Sequence, residues 1–246
     1  MNFSVIIPAR NEEKYIEQCL LSIEKAKKNL FLINPDSKVE IIVANNQSTD
    51  KTSQIAEKYA DKIIYTNAET IAGVRNAGAY NAKNEVFIFI DADSVMHPMT
   101  LIKILDTIEK TKIKAGCVKI LPYEKINFFI EFIIIIFNWI FKLLNTGSGL
   151  FFCLNIDFKT INGFNENIVA GEDLDFAYRI KNYLKTKNLK FKNLFDIPVR
   201  TSMRKLKFVK IRNILLILIN FLIFNKKIFE NKKLFEKLYY AVDDLR

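Results

Sequence analysis

"EVFIFIDADS" (85–94) runs five apolar residues, Val86 to Ile90, straight into Asp91 and Asp93. A short apolar run without polar alternation reads as a strand buried on both faces. An ionised carboxylate next to such a strand is costly unless it is paired or holds a cation. The stretch therefore requires a positive partner at the carboxyl end of the strand.

The segments upstream repeat the pattern. "FSVIIPA" (3–9), "VEIIVANN" (39–46) and "KIIYTN" (62–67) read as further buried strands. Between them, residues 11–30 carry a helical apolar stripe at 15, 16, 19, 20 and 23. Residues 48–60 and 72–83 read as helices too, the former capped by Ser48 or Thr49. Alternating strands and helices predict an α/β domain whose mostly parallel sheet is covered on both faces. Ligands bind beyond the carboxyl ends of such strands. Pro8–Asn11, Asn45–Asp50 and Asp91–Asp93 are thus expected to meet in space. After residue 100 come a helix near 99–113, a strand at 115–121 and the apolar stretch "INFFIEFIIIIFNWIFKLL" (126–144).

The 246 residues, half of them hydrophobic, suit one large domain or one domain with an appendage. Domain limits of 1–205 and 206–246 are expected. Cys19, Cys117 and Cys153 are far apart and read as reduced core thiols of a cytosolic protein. "MNFSVIIPARNEE" lacks the features of a signal peptide. The net charge of +10 is uneven: residues 181–246 hold 17 basic and five acidic residues. That excess points to an anionic partner. Aromatics in the tail sit among aliphatics and are not spaced as stacking platforms, which argues against nucleic acid.

Two carboxylates one residue apart at a sheet mouth can hold Mg²⁺ or Mn²⁺ together with phosphate oxygens and water. Alone, the D-x-D pattern also suits a turn. The wider set of motifs is more specific. "SVIIPARNEE", "IIVANNQSTDKT", "AGVRNAGAYNA…FIFIDADS", "GFNE" and "GEDLDFAYRI" occur in the order and spacing of the family 2 glycosyltransferases, and residues 3–184 resemble them. The resemblance implies a GT-A-like, Rossmann-type fold with a C-terminal helical appendage. It also implies an inverting enzyme that moves a sugar from a UDP- or GDP-sugar to an acceptor on a glycan or lipid.

Residue by residue, the resemblance places Pro8, Ala9, Asn11 and Glu12 in the first nucleotide-binding loop, with Glu12 near the ribose or base. Arg75 and Asn76 match an element that approaches the nucleotide and its phosphates. Asp93 matches the metal ligand, with Asp91 near the ribose or a metal-bound water, and Asp173 matches the catalytic base. An acceptor hydroxyl needs such a base within hydrogen-bond reach, and a metal neutralises charge on the departing diphosphate. Glu172 and Asp175 are alternative bases. Where the family commonly has V-D-D-G-S, this chain has "ANNQS"; Asn45 can still bond a base edge through its amide. The Q-x-x-R-W motif of processive synthases is absent, and "PVRTSMRK" (198–205) offers Arg200 or Arg204 to the diphosphate. Transfer to a polyprenyl phosphate, giving a lipid-linked sugar, is the alternative reading.

A single crossing by residues 126–144 would put Asp93 and Asp173 on opposite sides of a bilayer. The stretch is therefore read as core or as a helix at the membrane surface, Trp139 included. Residues 210–229, apolar with basic flanks, read as an interfacial helix drawn to anionic lipid at the inner face of the cell membrane.

Overall fold

The computed structural model describes residues 1–126, 128–147, 149–168 and 171–204. The expected segment 206–246, with the helix at 210–229, lies outside the described residues.

The expected strand–helix alternation is present. Strands β1 (Phe3–Ala9), β2 (Val39–Asn46), β3 (Lys62–Thr66) and β4 (Val86–Ile90) alternate with α1 (Ile16–Ile33), α2 (Thr52–Ala56) and α3 (Ile71–Tyr80). Then follow β5 (Ser94–Val95), α4 (Thr100–Lys110), β6 (Ile113–Pro122), α5 (Phe128–Leu144), β7 (Leu150–Leu154), α6 (Asn155–Thr160), α7 (Glu172–Thr186), β8 (Lys190–Phe191) and β9 (Leu194–Thr201). The sheet order is β3-β2-β1-β4-β7-β6-β9-β5, with β8 beside β6. Pairings among β1 to β4 are parallel; β7 runs antiparallel to both β4 and β6.

Both sheet faces are covered. On one side, Cys19, Leu20 and Ile23 of α1 and Leu101 and Ile104 of α4 pack against Val5, Ile7 and Ile88. On the other, α3, α6 and α7 close over Ile6, Phe87 and Phe89. Here Phe164 and Phe176 stack at 4.3 Å, and Phe89 meets Phe164 edge-on at 5.0 Å. This aromatic cluster holds Phe164 and the N-terminal half of α7 against the sheet. All three cysteines are buried free thiols.

Two local expectations are corrected. The second helix is α2, shorter than 48–60 and starting at Thr52. Ser48 and Thr49 do not cap it because they join the first loop: Asn11 N donates to Ser48 Oγ at 3.0 Å, and Thr49 N to Asn11 Oδ1 at 2.8 Å. The first helix likewise starts at Ile16, since Asn11 adopts φ +54 and the residues after it form turns.

The stretch at 126–144 forms α5. Ile133, Ile134 and Ile140 are buried, while Phe128, Phe132, Ile135, Trp139 and Leu143 are exposed. Trp139 is thus not a core residue. Among the described residues, no helix is long and apolar enough to cross a membrane.

Candidate active site

The parallel register brings the ends of β1, β2 and β4 to one edge: Ala9 pairs with Asn45, and Ile6 with Phe89. The loops beyond them meet as the topology requires. Glu12 N donates to Thr52 Oγ1 at 2.7 Å and Glu13 N to Asp50 Oδ2 at 3.0 Å, while Lys51 N donates back to Glu13 Oε2 at 3.1 Å. Asn45, nearly fully buried, accepts from Ser48 N at 3.1 Å and so shapes its own turn. Gln47, where the family pattern has glycine, sits at φ +53, a left-handed conformation that a glycine adopts without strain. Pro8 and Ala9 are buried at the end of β1, while Asn11 is exposed and Glu12 partly so.

Asp91 follows β4, and Asp93 stands two residues on. Asp91 is half-buried and accepts from Arg75 Nη2 at 2.8 Å. Arg75 projects from α3, almost fully buried, with its guanidinium 5.3 Å from the Phe164 ring centre. Its Nη1 donates to Glu172 Oε1 at 2.7 Å and lies 3.0 Å from Asp173 Oδ1. Burial works against the Arg75 charge, but Asp173, Asp91 and Glu172 outweigh it and hold the guanidinium protonated well above its ordinary range. In this structure Arg75 thus binds carboxylates from two parts of the chain.

Asp173 lies in the first turn of α7, which Gly171 at φ +84 precedes. Its Oδ1 is buried and has no hydrogen-bond partner, despite the close approach of Arg75. Burial pushes the Asp173 carboxyl up from 3.8 to about 8. Arg75 opposes the rise, Glu172 and Asp91 add to it, and a hydrogen bond from the Gly149 backbone lowers it. The two alternative bases are engaged: Glu172 with Arg75, and Asp175 with Arg179 at 2.6 Å.

Asn76 points elsewhere. Its Nδ2 donates to Phe164 O at 2.9 Å and to Glu166 Oε1 at 2.8 Å, and its Oδ1 accepts from Phe164 N at 2.9 Å. Gly163 adjoins this contact at φ +61, and a Cβ there would fall 2.6 Å from Asn76 Oδ1. The "GFNE" motif is therefore a loop clamped by Asn76, with glycine needed for both backbone and space.

The least legible member is Arg204, at the end of the described chain. It pairs with Glu12, 192 residues away in sequence, and its guanidinium lies 4.6 Å from the Tyr15 ring centre. The same Nη2 is 3.5 Å from Asp93 Oδ2. Pairing of β9 with β5 and β6 delivers it there: Ser202 N donates to Asp93 O at 3.1 Å, and Thr201 Oγ1 to Asp93 Oδ1 at 3.3 Å. The sequence offered Arg200 or Arg204 of "PVRTSMRK" to the diphosphate without distinguishing the two, and it did not place either beside Glu12. Arg200 lies in β9 and is exposed.

The donor set fits a hard divalent cation. Asp91 and Asp93 offer carboxylate oxygens; those of Asp93 lie 3.3 Å from Thr201 Oγ1 and 3.5 Å from Arg204 Nη2. Among the described residues no three His, Cys, Asp or Glu side chains cluster as a metal site. The protein would thus supply one or two ligands and leave the rest to phosphate and water, which suits Mg²⁺ or Mn²⁺. His97 faces its own turn, accepting from Met99 N at 3.2 Å through Nδ1.

Comparison with known proteins agrees with this fold. The chain is 36% identical over 107 residues to the poly(ribitol-phosphate) beta-N-acetylglucosaminyltransferase TarS of Staphylococcus aureus, covering 41% of this chain and 18% of that protein. It is 27% identical over 201 residues to the probable glycosyltransferase YdaM of Bacillus subtilis, covering 73% of this chain and 46% of that one. The chain thus spans less than half the length of both curated relatives. Among solved structures, TarS 1-349 in complex with UDP-GlcNAc superposes with a TM-score of 0.62 at 24% identity, over 83% of this chain and 59% of that one. The mannosyltransferase PcManGT of Pyrobaculum calidifontis, in complex with GDP-Man and Mn²⁺, gives 0.63 at 16% identity over 97% and 68%. These likenesses bear out a GT-A fold. Residues 4–211 match the profile of "Glycosyl transferase family 2", and the chain belongs to that family.

Proposed function

We propose that the chain transfers a sugar from a nucleotide-sugar donor to an acceptor hydroxyl with inversion at the anomeric carbon. The observation that carries this reading is the Asp173 carboxyl. Its Oδ1 is buried and has no hydrogen-bond partner, and Arg75 links it to Asp91.

In the proposed reaction, the acceptor oxygen bonds to the anomeric carbon as the bond from that carbon to the diphosphate breaks. The leaving electron pair goes to the nucleoside diphosphate, and the acceptor proton passes to Asp173. A carboxyl that burial raises to about 8 is suited to taking up that proton. Arg75 holds Asp173 and Asp91 in fixed relation, and Arg204 stands where it can turn from Asp93 toward the diphosphate. Glu12, Asn11 and Asn45 form the wall against which the nucleoside would rest. Asp93, with Asp91, would hold Mg²⁺ or Mn²⁺, which when bound supplies charge neutralisation of the leaving diphosphate.

Donors bound in TarS and PcManGT structures, UDP-GlcNAc and GDP-Man, support a nucleotide-sugar as substrate class. The exposed apolar face of α5 favours an acceptor hydroxyl presented at a lipid surface, as on a glycolipid; a polyprenyl phosphate, which needs no base, is the alternative. The basic C-terminal quarter adds contact with an anionic membrane face to this reading. A thermal-shift screen of UDP- and GDP-sugars, with and without Mn²⁺, tests the proposal. Stabilisation by one donor class in the presence of metal is expected, and no shift with any nucleotide would overturn it.

A further inference from the structure

We propose that the outward face of α5 is the surface through which the chain lies on an anionic bilayer. The proposal rests on the reading that the chain meets such a membrane, and it locates the contact.

The segment "FFIEFIIIIFNWIFKLL" is apolar almost all round, so its sequence alone does not say which face is buried. The structure divides it. Ile133, Ile134 and Ile140 turn inward, and buried Asn138 bonds both Ile120 N and Ile120 O, pinning α5 along β6. Phe128, Phe132, Ile135, Trp139 and Leu143 turn outward, each between 51% and 83% exposed. Their spacings of four, three, four and four residues align them down one side of the helix. Seventeen residues at about 1.5 Å each make this a ridge roughly 25 Å long. Contiguous apolar surface on that scale marks a contact site rather than ordinary scatter.

Charge and position favour lipid as the occupant. Lys125 precedes the ridge and Lys142 lies in its last turn, both exposed, while Glu131 is the only acid in the helix. An apolar face with aromatics and basic residues at its edges suits a helix lying in the membrane interface. The last described residues run beside the segment that leads into α5. Tyr123 N donates to Thr201 O at 2.9 Å, and Glu124 accepts from Ser202 Oγ and Met203 N. Each basic residue near an anionic surface adds attraction that salt screens, and the ridge supplies an apolar component that salt leaves in place.

Trp139, the single tryptophan, is a native reporter within the ridge. The full chain is mixed with phosphatidylglycerol–phosphatidylcholine vesicles or with phosphatidylcholine alone, and vesicle pelleting is measured alongside Trp emission, with and without brominated acyl chains. A blue shift and bromine quenching on anionic vesicles are expected. Phe132→Gln combined with Leu143→Gln, at exposed positions, should weaken vesicle affinity at least about tenfold by loss of buried apolar area while the melting temperature holds. Pelleting without any change at Trp139 would leave the membrane reading standing and overturn the assignment to α5. Absence of both pelleting and shift would overturn the two together. Emission already blue before lipid is added would show the ridge covered and overturn the proposal: concentration dependence would identify a second copy, and independence of dilution this chain's own C-terminal segment.

Discussion

Arg75 Nη1 lies 3.0 Å from Asp173 Oδ1 in a site where one buried guanidinium serves Asp91, Glu172 and Asp173. Removing the cation would leave three carboxylates without their common partner. Truncating one member of a buried ion pair costs about 3–5 kcal/mol. Arg75→Met is expected to lose stability of that order at pH 8 and less at pH 5, where protonation relieves the uncompensated charge. Urea denaturation at the two pH values measures this. Equal losses would place the weight of Arg75 on its packing against Phe164.

Asp173→Asn should leave donor binding nearly intact and reduce turnover on a hydroxyl acceptor by roughly 10²–10⁴-fold, the usual contribution of general acid–base catalysis. Calorimetry with the donor, paired with a transfer assay, separates the two effects. Turnover like wild type on a hydroxyl acceptor would put the base elsewhere. If the preferred acceptor is a lipid phosphate, already ionised, the substitution should matter far less.

The elevated Asp173 carboxyl also makes two pH-dependent quantities move in opposite directions. In the free protein the base becomes available as pH rises through about 8, so kcat/KM should climb over that range. Stability should fall meanwhile. Between the ordinary value of 3.8 and about 8 the folded state holds a proton that the unfolded chain releases, and rising pH then favours unfolding. Below that window the group contributes no difference, and above it the loss is complete. Asp173→Asn removes this titration, so its melting temperature relative to wild type should increase from pH 4 to pH 8. A pH-independent difference would show that Asp173 is not elevated.

The sheet and the meeting of its loops were legible because buried parallel strands leave an apolar run with little alternation, and Asp91 breaks that run abruptly. Asp173 was legible through its motif. Arg204 was less so, because its arrival beside Glu12 and Asp93 depends on how β9 pairs with β5 and β6. The opposed directions of Arg75 and Asn76 follow from helix geometry, since neighbours on a helix diverge by about 100°. The faces of α5 could not be assigned from a sequence apolar all round; packing against β6 decides them.

Asn76 provides a direct test of that divergence. Its amide satisfies both backbone groups of Phe164 and one oxygen of Glu166. Asn76→Ala would leave buried groups unpaired, at about 1–3 kcal/mol for each. A lowered melting temperature without nucleotide is expected, measurable by calorimetry. Unchanged stability with weakened nucleotide affinity would instead make Asn76 a donor contact.

Arg204 and a metal ion would compete for Asp93. The guanidinium lies 3.5 Å from Asp93 Oδ2 while paired with Glu12 and resting on Tyr15. A divalent cation at Asp93 would meet repulsion from Arg204 unless that side chain moved away, and a bound diphosphate would offer it a new anionic partner. Arg204→Gln should therefore tighten Mn²⁺ binding in the absence of nucleotide and weaken nucleoside diphosphate binding in its presence. Asp93→Ala should abolish the metal-induced tightening of nucleoside diphosphate while the protein stays folded. Titration calorimetry with Mn²⁺ alone, then with nucleoside diphosphate at saturating Mn²⁺, resolves both variants. Identical Mn²⁺ affinity in wild type and Arg204→Gln would mean that the guanidinium and the metal do not share the carboxylate. Unchanged metal dependence in Asp93→Ala would move the metal away from Asp93 altogether.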